Sequence, residues 1–126
     1  MDIPDNLKYT NDHEWIKVEG NTGTIGITDY AQGELGDIVF VDIQNGLEEI
    51  QKGNSFGTIE AVKTVSDLLA PISGKVLEIN KELESNAEIV NKDPYGAGWI
   101  IKIEINDLVE LDSLLDAVAY GSLIGA

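Results

Sequence analysis

The feature that most restricts what this chain can fold into is its run length. Apolar residues occur in stretches of roughly four to eight, each closed by Gly, Asn or Pro, the pattern of many short strands joined by turns. "HEWIKVEG" alternates and stops at Gly20; "GTIGIT" follows; "GDIVFVDI" closes at Asn45-Gly46; "SFGTIEAV", "SDLLAP", "SGKVLEIN" and "GWIIKIEIN" complete the set. In the last, Ile101, Ile103 and Ile105 alternate with Lys102 and Glu104, the period-two signature of a half-buried strand. A mostly β chain, built as a small antiparallel sandwich or barrel, is expected. With 126 residues, it is long enough for one domain of ordinary size, residues 1–126.

Short helices interrupt the strands. "TDYAQGELGD" is expected to form one, capped by Thr28 or Asp29 and stopped at Gly36. "NKELESNAEIV" holds another turn or two before the turn Asp93-Pro94-Tyr95-Gly96. In "NDLVELDSLLDAVAY", Leu108, Leu111, Leu115 and Val118 recur at helical spacing, and Asp107 with Glu110 resembles a capping box. This segment is expected to be a single C-terminal amphipathic helix packed on the sheet.

Charge and composition exclude several classes of function. The chain has eight Lys, no Arg and 23 carboxylates, a formal net charge of -15. Such a field repels nucleic acid and anionic lipid, and speeds encounters with proteins that present basic patches. With 43% hydrophobic residues, the chain has enough apolar side chain to fill a core, which argues against disorder. There is no Cys, so disulfides, thiolate catalysis and Cys-ligated zinc are excluded. "MDIPDNLKYTND" has neither a basic n-region nor an apolar h-region, and no apolar run approaches the roughly 20 residues that span a bilayer. No membrane association and a cytoplasmic location, in a bacterium or archaeon, are expected.

Few residues offer chemistry of their own. His13 is the only histidine; its ordinary reading is a strand-edge residue near Trp15, since a lone His builds no zinc site without Cys. Glu48-Glu49 and Asp112/Asp116 read as solvated carboxylates rather than acid–base dyads. No glycine cluster forms a GxGxxG or GxxxxGK[ST] loop, which leaves nucleotide binding unsupported.

Lys63 is different. In "GTIEAVKTVSDLLAPISGKV" it stands at the bend between Glu60-Ala61-Val62 and Thr64-Val65-Ser66-Asp67. An amine that acts alone must lose its proton, which takes an apolar pocket or a neighbouring cation. Glu60 and Asp67 lie near it and there is no Arg, so its ammonium stays charged and a Schiff-base or general-base role is disfavoured. A hairpin tip held by pairing on both sides suits another task, presenting a side chain to an enzyme that modifies it.

These residues carry a resemblance. "GTIEAVKTVSDLLAPISGKVLEIN" resembles the lipoyl-attachment hairpin of the glycine cleavage system H-protein family. "YTNDHEWIKVEG", "GITDYAQGELGDIVFVDI", "NKDPYGAGWIIKIEI" and "ELDSLLDAVAY" resemble other blocks of that family in order and spacing, so the likeness spans about residues 7–120. It implies a lipoyl/biotinyl "hammerhead"-like barrel-sandwich hybrid, with lipoate as the cofactor, bound as an amide to Lys63. It further implies a carrier without catalytic residues or metal, whose arm accepts an aminomethyl group from glycine. The partners implied are glycine decarboxylase (P protein), aminomethyltransferase (T protein), dihydrolipoyl dehydrogenase (L protein) and a lipoylating enzyme. By the same resemblance, Glu14 of the His-Glu-Trp motif and Asp67 line a pocket for the aminomethyl-bearing arm, and Glu60 and Asp67 form the context for lipoylation. The alternative for Glu14 and Asp67 is that they are ordinary surface carboxylates.

The chain departs from the family pattern at Ala61, where Ser is usual, and in "DIQNGLEEI", where Leu-Pro is common. Biotin carriers flank their lysine with Met, whereas Val62 and Thr64 stand here. Lipoyl domains of 2-oxoacid dehydrogenases favour Asp-Lys-Ala. An alternative role with the same modification is that of a lipoate relay donor to other lipoyl enzymes.

Overall fold

The computed structural model describes residues 2–44 and 46–125. Two open antiparallel sheets face each other. The larger has six strands in the order β1 (Lys8–Tyr9), β2 (Glu14–Glu19), β3 (Thr22–Ile27), β9 (Ile101–Ile105), β8 (Gly74–Ile79), β5 (Glu49–Ile50). The smaller has three, β4 (Ile38–Ile43), β6 (Ser55–Ala61) and β7 (Val65–Leu69). The mostly β sandwich expected from the run lengths is therefore present. The Asn45 part of the expected Asn45-Gly46 turn lies outside the described residues.

The alternation in β9 does what its period implies. Ile101, Ile103 and Ile105 are buried between the sheets while Glu104 is exposed. Ile16, Ile25 and Ile27 meet them from the larger sheet, and Val41, Ile59, Ala61 and Leu68 from the smaller. Each of the Ile, Leu and Val side chains among these, fully buried, contributes about 2 kcal/mol. A second cluster of Leu7, Tyr9, Trp15 and Tyr120 packs apart from this core. It requires Gly26, opposite Trp15 in the β2–β3 register, because a Cβ there would come within 2.7 Å of the indole ring.

The first helix, α1 (Asp29–Leu35), follows the sequence closely. Thr28 Oγ1 accepts from the Ala31 N–H at 3.2 Å, and Gly36, at φ +81°, ends the helix. The expected turns before Asp93-Pro94-Tyr95-Gly96 are α2 (Glu82–Ser85) and α3 (Ile89–Lys92). Asn91 of α3 ties three elements together. Its Nδ2 donates to Gln32 Oε1 and to the Gly36 carbonyl, each at 2.9 Å, and its Oδ1 accepts from the Ile38 N–H at 2.8 Å.

The C-terminal segment differs from the single long helix expected. It is a 3₁₀ helix at Leu108–Ser113 followed by α4 (Ala117–Ile124), with an extended break between them. At the break the Leu115 and Tyr9 backbones exchange two hydrogen bonds of 2.8 Å, while Leu114 and Leu115 enter different cores. Pairing with β1 outweighs helix continuation here. Asp116 then caps α4, its Oδ1 accepting from the Ala119 N–H at 2.8 Å. Glu110 does not complete a capping box. It accepts from the Ser73 N–H at 2.8 Å, and Asp107 alone serves the 3₁₀ end. Leu108 and Val118, counted as part of the buried stripe, are exposed.

Candidate functional site

Lys63 stands at the exposed tip of the β6–β7 hairpin. The register runs Thr58↔Asp67, Ile59↔Ser66 and Glu60↔Val65, so the strands are paired almost to the tip. The Ala61 N–H donates to the Thr64 carbonyl at 2.8 Å, and the Val62 N–H donates to the Asp37 carbonyl at 3.1 Å. The second bond fastens the tip to the strand entry after α1, leaving the Lys63 backbone held and its side chain in solvent. Among the described residues the ion pairs are Lys17–Glu19, Lys92–Glu88 and Lys102–Glu78; Lys63 belongs to none. Ala61 is buried, facing the core, so a hydroxyl in its place would point inward and away from the amine.

The hairpin also needs Gly57. A Cβ at that position would overlap the Asp42 carbonyl oxygen of β4, and the β6–β7 register shifts between Ser55 and Gly57. The close backbone approach there sets how β4 and the hairpin pack.

The other residues singled out in the sequence divide between the hairpin and one cavity. Glu60 is exposed beside the tip, opposite Val65. Glu14 and Asp67, 53 positions apart by their numbers, line a single cavity of about 130 Å³. Ile27, Leu35, Ile59 and Leu68 provide its apolar walls, and Asp12 and Glu34 add two further carboxylates. No Lys lines it. Sequence reading missed Asp12, which directly precedes the His-Glu-Trp motif, and the wall supplied by α1 through Ala31, Glu34 and Leu35. Nothing in the chain's periodicity marks that wall, because it arises only when the fold brings α1 and β7 to the same cavity.

Glu14 is buried, which separates it from the other carboxylates. Its Oε2 accepts from the Leu69 N–H at 2.8 Å and its Oε1 from Thr10 Oγ1 at 3.3 Å. Loss of solvation pushes its carboxyl up to about 8, a shift that nearby Asp12 reinforces and the Leu69 N–H opposes. Glu14 belongs to none of the ion pairs among the described residues, and it also borders a second cavity, of about 260 Å³, lined by Thr10 and Lys52.

His13 is not the strand-edge residue expected. It precedes β2 with φ +66°, in the left-handed region, and it is the one non-glycine residue so found among those described. Its ring lies 4.9 Å from Tyr30, centroid to centroid, and its Nδ1 is 2.9 Å from the Tyr120 hydroxyl. Asp116 is exposed but caps α4. Among the described residues no group of three or more His, Asp or Glu is arranged to hold a metal ion, and no helix is long and apolar enough to cross a membrane.

Comparison with known proteins agrees with this geometry. The model of the family described as glycine cleavage H-protein matches residues 7–125. The glycine cleavage system H protein of Staphylococcus haemolyticus is 57% identical over 125 residues, covering 99% of each chain. That of Bacteroides fragilis is 56% identical over 126 residues, covering 100% of each. The crystal structure of the Mycobacterium marinum glycine cleavage system H protein superposes with a TM-score of 0.89 at 38% identity, over 98% of this chain and 100% of that one. A family model matching nearly the whole chain, relatives at 56–57% identity and the shared fold show that the chain belongs to the glycine cleavage H-protein family, the lipoyl carriers of the glycine cleavage system.

Proposed function

We propose that Lys63 carries the lipoate, as an amide on Nζ, and that the cavity of Glu14 and Asp67 receives the arm's loaded end. The observation that supports this most is the run of β7. It leaves the Lys63 tip and reaches the cavity at Asp67 within the same short strand.

The residues present fit the group. Acylation needs a primary amine open to a second protein, and Lys63 is exposed without an ion pair among the described residues. A resting place for the arm needs apolar walls ending in an anion, which Leu35, Ile59 and Glu14 supply. Held on Lys63, lipoate would supply a disulfide that can open to carry an aminomethyl group and that is left as a dithiol, needing reoxidation, once the one-carbon unit and ammonia have departed.

The protein's own residues bind, orient and shield. Forming the amide removes the Lys63 charge from the neighbourhood of Glu60. Glu14, with its carboxyl pushed up to about 8, holds a proton near neutral pH. An arriving ammonium supplies the counter-charge that burial denied it, so Glu14 gives up that proton to solvent as the ion pair forms. Asp67 and Asp12, exposed residues that line the same cavity, draw the cation toward it. The apolar walls keep water from the held end. The chain itself catalyses nothing in this reading. It meets the P, T and L proteins in turn, and a lipoylating enzyme before them, in the cytoplasm. Glu60, beside the tip, orients the lysine for that last enzyme.

Intact-mass analysis of protein from lipoate-replete cells tests the reading, with one lipoyl adduct expected on the wild type and none on Lys63→Arg. An unmodified wild type in the presence of a competent lipoylating enzyme would overturn it. Glycine-dependent loading by the partner decarboxylase separates a role in the cycle from a lipoate relay.

A further inference from the structure

The left-handed backbone at His13 needs an explanation that neither the hairpin nor the carboxylates provide. A non-glycine residue at positive φ is disfavoured, because its Cβ crowds the backbone, and persists only where its surroundings over-determine it. Four contacts do so here. The His13 N–H donates to the Thr10 carbonyl at 3.2 Å and its carbonyl accepts from the Thr28 N–H at 3.0 Å. Its ring leans on Tyr30, and its Nδ1 meets the Tyr120 hydroxyl.

That hydroxyl has a second partner, Thr28 Oγ1, at 2.7 Å. Thr28 is the N-cap of α1. One hydroxyl on α4 thus touches both segments that frame the cavity: the loop that delivers His13 and Glu14, and the start of the helix that delivers Ala31, Glu34 and Leu35. A phenol has one proton to donate and lone pairs to accept with. If Tyr120 donates to His13 Nδ1 it accepts from Thr28 Oγ1, and with the other His13 tautomer both bonds reverse. The bridge is satisfied either way. Tyr120 is fully buried and stacked on Tyr9 at 4.7 Å, with 10° between the rings, so its position is set from behind by the second core.

We infer that Tyr120 is a positioning residue for the arm cavity: its hydroxyl pins His13 and the N-terminus of α1 at a fixed separation, making retention of the loaded arm depend on the C-terminal helix. Nothing in the sequence joins these residues, since Tyr120 and His13 are 107 positions apart. The inference rests on reading the cavity as the arm's docking place, so its test carries a control for that reading.

The experiment uses the lipoylated, loaded carrier and measures the lifetime of the loaded form after the partner enzymes are removed. Tyr120→Phe keeps the stacking ring and loses only the hydroxyl. It should shorten the lifetime about fivefold or more, because both hydrogen bonds of the bridge are lost, with lipoylation at Lys63 unchanged. His13→Leu should do the same, His13→Gln should restore most of what His13→Leu loses, and Tyr120→Phe with His13→Leu should be no shorter-lived than either alone. Glu14→Gln is the control. If it shortens the lifetime while Tyr120→Phe leaves it within twofold of wild type, the inference is wrong and the cavity reading stands. If the two single effects multiply and track lowered thermal stability, Tyr120 acts only on the fold and the inference is likewise wrong. If neither Glu14→Gln nor Tyr120→Phe has an effect, the cavity reading fails and takes the inference with it.

Discussion

The Oε2 of Glu14 accepts the Leu69 N–H at 2.8 Å, joining the first residue of β2 to the last residue of β7 across 55 positions of sequence. Glu14 therefore does two jobs at once. It satisfies a backbone donor on the outer edge of the hairpin's second strand, and, buried itself, it lines the same cavity as Asp67.

This arrangement makes stability depend on pH. The Glu14 carboxyl lies near 8 in the folded protein, well above its ordinary value of 4.5, so between these limits the folded state binds more protons than the unfolded one. Stability should fall as pH rises from about 5 to 8, by an amount on the order of a few kcal/mol from this group. Glu14→Gln keeps the shape without the charge. Its urea midpoints at pH 5 and pH 8 should differ less than those of wild type, and an equal difference would show that Glu14 ionises normally.

Asp67→Asn is expected to be mild for the fold, because Asp67 is exposed on β7, but not for retention. The lifetime of the loaded carrier should fall several-fold, and by less than the tenfold order expected for Glu14→Gln, which removes a buried charge-assisted contact. Chemical decay of the loaded form, followed by mass spectrometry, measures both. Unchanged lifetimes in both would remove the pocket assignment.

Asn91→Ala should destabilise the protein by about 1–3 kcal/mol, since it strips partners from the Ile38 N–H and the Gly36 carbonyl together. Urea denaturation measures the loss. Lipoylation at Lys63 should be unaffected under conditions where the variant is folded.

Gly57→Ala puts a methyl group against the Asp42 carbonyl, so β4 and β6 must separate locally. A cost of about 1–3 kcal/mol is expected from such overpacking. By contrast Lys63→Gln, at an exposed tip, should stay within about 0.5 kcal/mol of wild type. Comparing their denaturation midpoints checks that the hairpin's base is structural and its tip is not.

Lys63 and the strands around it were legible because their signals are local. Alternation in Ile101–Ile105, the Thr28 cap and the Gly36 stop each depend on neighbours a few positions away, and the motif around Lys63 could be matched to a family on its own letters. The C-terminal segment was misread for the complementary reason. Its helical spacing was real, but Leu115 gains two backbone bonds from Tyr9, more than 100 positions earlier, and no periodicity records that pairing.

The sequence alone determined a β protein with short helices, an acidic surface, a hairpin and an amine at its bend, because strand period, capping and charge are properties of adjacent residues. Only tertiary structure decided that Glu14 is desolvated and shares a cavity with Asp67, that α1 helps line it, and that Tyr120 reaches His13 and Thr28. Burial and hydrogen-bond geometry exist only between surfaces that folding brings together, and the proton affinity of Glu14 follows from them.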